Sequence, residues 1–104
     1  MKFLLAGLLF LLASSVAFAG STGAWSASVC AQHVEYIQGQ LDSGLTAADV
    51  MKQFDEWLAM NPGTFPEYEP MVRAMINATS EPGWQTKQFQ ACMQVMLPYE
   101  AGQR

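Results

Sequence analysis

Chemistry in this chain would have to be assembled from few parts: one histidine, His33; two cysteines, Cys30 and Cys92; two close carboxylate pairs, Asp55/Glu56 and Glu67/Glu69; and methionines spaced as Met71 with Met75 and Met93 with Met96. A Ser-His-Asp or Cys-His constellation would have to converge on His33, and no serine sits in a nucleophile-elbow pattern. His33 falls between the apolar stripes of a helix, where it reads as a satisfied or surface histidine. Paired carboxylates divide acid and base work only where burial drives their pKa values apart. Asp55/Glu56 lie on the polar face of one helix and Glu67/Glu69 at the start of another, both solvated settings. Thioethers are soft ligands for Cu(I), yet all four methionines repeat at core spacing, where methionine fills irregular gaps. The expectation is a non-enzymatic chain with no catalytic residue, no metal and no cofactor.

What remains is recognition. Residues 55–70 read DEWLAMNPGTFPEYEP, with three prolines, three aromatic rings, four carboxylates and no basic side chain. Phe65 and Tyr68 follow the turn signal Asn61-Pro62-Gly63 and belong less clearly to a core stripe than Phe54 or Trp57 do. Rings flanked by Glu67 and Glu69 suit an interface anchor with an acidic rim, which speeds encounter with a basic partner. Phe65, Glu67, Tyr68 and Glu69 are therefore the candidate partner-binding residues. The alternative is that both rings cap the base of a bundle and the acids keep it soluble.

The elements that must position these residues are helical, because apolar residues recur at helical spacing and no stretch alternates like a strand. A first helix is expected from Ala24 to Leu41, with Cys30, Val34, Ile37 and Leu41 on one stripe, closed by Asp42-Ser43-Gly44. The second opens at Leu45-Thr46-Ala47-Ala48-Asp49, where Thr46 can cap the helix and Asp49 reach back in a box-like arrangement. Val50, Met51, Phe54, Trp57 and Leu58 give its buried face, and Asn61-Pro62-Gly63 stops it. The third is expected to start at Pro66 or Pro70, since proline suits a first helical turn and Glu67 and Glu69 favour the positive end of the helix dipole. Ser80-Glu81-Pro82-Gly83 marks another corner. The fourth is expected from Trp84 to Leu97, with Phe89, Cys92, Met93, Met96 and Leu97 on one face, Pro98 as its stop and Tyr99 to Arg104 as a loose tail. The fold class is all-α: a small single-domain bundle of about four helices. Asn77-Ala78-Thr79 also fits a glycosylation sequon, of consequence only in a eukaryotic source.

Residues 1–19 read as a signal peptide: Lys2 is the basic start, Phe3 to Ala13 the apolar run, and Ala17-Phe18-Ala19 a small-x-small cleavage site. Its apolar run is shorter than the roughly 20 residues that span a bilayer; an uncleaved N-terminal anchor is the alternative. Residues 20–104 then form the helical domain, periplasmic or secreted. Without Lys2 the chain carries Lys52, Arg73, Lys87 and Arg104 against nine carboxylates, a net charge of −5. An acidic domain without a basic patch has no electrostatic footprint for nucleic acid or an anionic membrane. In an exported chain Cys30 and Cys92 read first as a disulfide stapling the first helix to the last. A metal or redox pair is the other possibility, although the close spacing usual for those sites is missing.

The run of Cys30, Tyr36-Ile37-Gln38-Gly39, Gly44-Leu45-Thr46-Ala47-Ala48-Asp49-Val50, Trp57-Leu58, Asn61-Pro62, Pro70-Met71-Val72 and Ala74-Met75-Ile76 resembles the Rap1a/Tai family of bacterial immunity proteins over residues 30–78. The chain departs from that pattern in the short Gln40–Gly44 connection, the missing closing Phe-Pro-Cys and the late position of Cys92. The resemblance implies a periplasmic protein that binds and blocks a type VI secretion amidase effector, with a protein partner and no cofactor. A looser likeness is to HdeA-type periplasmic acid-stress chaperones, in Trp25 close to Cys30 and the late Ala91-Cys92 pair. It implies an acid-triggered chaperone, which nine carboxylates against four strong bases would support; the lysine-rich tail of those proteins is absent.

Overall fold

The computed structural model describes residues 23–102. The expected signal peptide, residues 1–19, lies outside them. Four α-helices make up the described chain: α1 (Ala24–Asp42), α2 (Ala47–Met60), α3 (Tyr68–Asn77) and α4 (Trp84–Gly102), with one 3₁₀ turn at Ala78–Ser80. No strand occurs among the described residues, so the protein is an all-α bundle.

Local chemistry accounts for most helix ends. The Asp49 N–H donates to Thr46 Oγ1 (3.1 Å) and the Thr46 N–H to Asp49 Oδ2 (2.9 Å), a complete capping box at the start of α2. Asn61 closes the other end of α2 by donating its side-chain amide to the Trp57 carbonyl (2.8 Å). Helix α3 begins at Tyr68, between the two prolines expected to start it. The Tyr68 N–H is already held by the Phe65 carbonyl (3.0 Å). Pro70 then falls in the first turn, where a missing N–H costs nothing because that group has no intrahelical acceptor.

Pro98 does not end the last helix: α4 continues through it to Gly102, and the expected loose tail is instead helical. A proline inside a helix removes the bond to the carbonyl four residues back and crowds it. Here Pro98 and Gln94 are both exposed. Water can reach the affected turn, and the residues beyond it are held by packing.

Trp25, Val29, Ile37, Val50, Phe54, Tyr68, Met75, Ile76, Cys92 and Met96 form one buried core. Within it Cys30 and Cys92 are disulfide-bonded, with Cα atoms 5.8 Å apart and a sequence separation of 62. Helices α1 and α4 pack along each other in opposite directions, tied at one end by Ser26 to Glu100, in the middle by the disulfide and at the other end by Gln85 to Gln38 (2.7 Å). Helix α3 packs on both α4 and α2.

Candidate functional site

His33 is fully buried, and both of its ring nitrogens are engaged: Nδ1 lies 2.8 Å from the Val29 carbonyl and Nε2 2.7 Å from the Tyr68 hydroxyl. A carbonyl can only accept, so Nδ1 carries the proton and Nε2 accepts from Tyr68. Burial pushes the imidazole down to about 4, against a smaller opposing contribution from the Val29 bond. Burial also raises the Tyr68 hydroxyl. His33 is thus a neutral, satisfied core group shut away from solvent. The methionines take the same role, with Met71, Met75 and Met96 buried and Met93 packed against the core. No group of three or more His, Cys, Asp or Glu side chains is placed to hold a metal among the described residues.

The four candidate partner-binding residues separate by depth. Tyr68 is completely buried, and its ring sits edge-on to Phe54 (6.0 Å between centroids) and Trp57 (5.8 Å). It therefore faces the core, and a partner has no access to it. Glu69 is solvent-exposed but taken: Arg73 Nε donates to it at 2.9 Å while Arg73 Nη2 meets Asp55 at 2.8 Å. The guanidinium also lies over the Phe54 ring, 5.4 Å from its centroid. Arg73 clamps α2 to α3, so Glu69 belongs to a structural ion pair. Phe65 and Glu67 remain at the surface.

Phe65 is half-buried. One neighbour is Tyr68 (5.7 Å) and the other is Tyr99, on which it stacks with centroids 4.0 Å apart and planes 17° from parallel. Tyr99 in turn meets Trp25 at 6.1 Å. Beside this stack an open groove of about 400 Å³ runs between α4 and the segment leading into α3, lined by Glu67, Gln94, Val95, Pro98 and Tyr99. The four α4 residues fall at i, i+1, i+4 and i+5, a single helical stripe, and Glu67 forms the opposite wall. No family model, curated protein or solved structure matches the chain.

Tyr99 is held in place by its neighbour Glu100, which is 5% exposed. The Gly23 N–H donates to Glu100 Oε2 (2.9 Å), and the Ser26 N–H (2.9 Å) and hydroxyl both donate to Oε1. A carboxylate contributed from the far end of the chain thereby caps the start of α1, satisfying donors that a local capping box would otherwise serve. Gly23 adopts φ 96°, and a Cβ there would stand 3.0 Å from Leu97 Cδ2, so glycine suits this junction on two counts.

Tyr99 and Glu100 are the site residues that reading the sequence missed. Glu100 reads in sequence like any solvated glutamate, but Tyr99 carried a signal: it continues the Phe89-Cys92-Met93-Met96 stripe at i+3. Treating Pro98 as a stop hid it.

Proposed function

We propose that this chain is an exported, non-enzymatic helical binding protein that engages a protein partner through the Phe65–Tyr99 surface, and that the partner is a secreted amidase effector whose activity it blocks. The observation that carries the reading is the stack of Phe65 on Tyr99. Two half-buried rings at the solvent boundary, fixed from beneath by Tyr68 and from behind by Glu100, offer a rigid apolar anchor that loses little conformational freedom on binding. Glu67 at the groove wall and the net charge of −5 after leader removal suit a basic partner. The resemblance of residues 30–78 to Rap1a/Tai immunity proteins supplies the partner class, and the disulfide suits an oxidising, periplasmic setting.

Mixed with the type VI secretion amidase effectors of its source, the protein should form a stoichiometric complex with one of them and abolish its amidase activity. Tyr99→Ala should weaken that complex by roughly thirtyfold, the scale of an interface hot spot, while the far-ultraviolet helical signal is kept. No complex at neutral pH with any such effector would overturn the reading.

A further inference from the structure

The groove beside the Phe65–Tyr99 stack is unusual in its polar atoms. Its lining residues include no basic side chain. The Glu67 carboxylate is exposed, and the ion pairs among the described residues all belong to Arg73. Across from it Gln94 presents a side-chain amide. The Gln94 backbone carbonyl also loses its usual helical donor, because the residue four places on is Pro98, which has no N–H. Acceptors thus come from Glu67 on one side of the groove and Gln94 of α4 on the other, and the rest of its lining is Val95, Pro98 and Tyr99. Burial raises the Tyr99 hydroxyl, so that group stays neutral.

Resting on the function proposed above, we infer that this groove receives an arginine side chain of the partner, its stem along Val95 and Pro98 and its guanidinium between the Glu67 carboxylate and the Gln94 carbonyl. Charge complementarity selects a cation: the only ionised group lining the groove is negative, and so is the molecule as a whole. Geometry selects arginine over lysine. A planar guanidinium carries five donors in a fixed fork, is weakly hydrated and packs flat against rings, whereas an ammonium is a compact, strongly hydrated point charge. Acceptors on two sides need a forked donor, and a largely apolar remaining lining favours the less hydrated head.

The test uses the exported protein and three short capped peptides of identical sequence except for a central arginine, citrulline or lysine, followed by amide chemical shifts. The arginine peptide should give saturable shifts centred on Glu67, Val95 and Tyr99, the lysine peptide should bind more weakly, and uncharged citrulline should give none. Glu67→Gln keeps shape and exposure, and should weaken arginine binding about fivefold, as loss of a solvent-exposed charge pair does. The inference is overturned if the arginine peptide gives no saturable shifts there, if citrulline or lysine matches it, or if Glu67→Gln changes nothing. The effector complex separates this inference from the reading beneath it. If Tyr99→Ala abolishes that complex and Glu67→Gln leaves it intact, the binding surface stands and the arginine anchor falls; if neither variant weakens it, both fall.

Discussion

His33 is a fully buried ionisable group, and its hydrogen bonds explain what protonation would do. Nε2 accepts the Tyr68 hydroxyl proton at 2.7 Å. A proton placed on Nε2 makes it a donor and forces the Tyr68 hydroxyl to turn its own proton away and accept, inside a site where the new charge is poorly solvated. The unfolded imidazole titrates near 6.5, and the folded one resists until about 4. Above pH 6.5 both states are neutral and the residue adds no slope. Between the two values only the unfolded chain takes up the proton, so stability falls as the pH falls, by about 3 kcal/mol once pH 4 is passed. Urea midpoints measured across this window should drop in the wild type and drop much less in His33→Gln. Because Tyr68 underlies Phe65, this coupling is also the feature that speaks for an acid-responsive chaperone. Apolar-dye binding that appears on acidification in the wild type and not in His33→Gln would favour that role; equal slopes in the two proteins would remove His33 as its trigger.

Helix α4 shows how a local rule and a long-range contact compete within one element. Proline inside a helix costs about 3 kcal/mol relative to alanine, which is why the sequence reads as stopping at Pro98. The helix nevertheless reaches Gly102, because Tyr99 stacks on Phe65 and Glu100 caps α1, contacts with partners 34 or more positions away that no local window contains. By contrast, the Thr46–Asp49 box and the Asn61 stop lie within one turn of the helix ends they serve, and these were legible from spacing alone. Tyr68 was ambiguous for a related reason: it is the first residue of its helix, and its burial depends on His33, Phe54 and Trp57 in two other helices. Pro98→Ala isolates the local part of this balance. With Pro98 exposed and its neighbours unchanged, the substitution should raise stability by roughly 1–3 kcal/mol, seen as a higher urea midpoint. The restored N–H would also occupy the Gln94 carbonyl, so arginine-peptide binding should weaken while the fold gains. A destabilised Pro98→Ala protein would mean that the backbone geometry Pro98 imposes on this turn is needed to bring Tyr99 onto Phe65.

Across the whole molecule, α1 and α4 form the frame on which the rest is hung, and the three ties between them differ in kind. Glu100 supplies charge-assisted hydrogen bonds at one end, Cys30–Cys92 a covalent bond in the middle, and Gln38–Gln85 an exposed amide contact at the other end. The pairing of the two cysteines was readable because both lie on apolar stripes and residues 1–19 read as an export leader, which makes a disulfide the first expectation; the Glu100 cap had no comparable signal, since a buried glutamate looks in sequence like any solvated one. The covalent tie spans 62 residues, and closing a loop of that size restricts the unfolded chain by about 4 kcal/mol. Small domains have total stabilities of roughly 5–15 kcal/mol, so the Cys30→Ala/Cys92→Ala double variant should unfold at a much lower urea concentration, with a loss near that size. Glu100 and the shared core still hold α1 against α4 in the variant, so its helical signal should persist in the absence of urea. A loss under about 1 kcal/mol would mean that the unfolded chain already keeps its two ends together, with the Glu100 cap and not the disulfide setting the register of the frame.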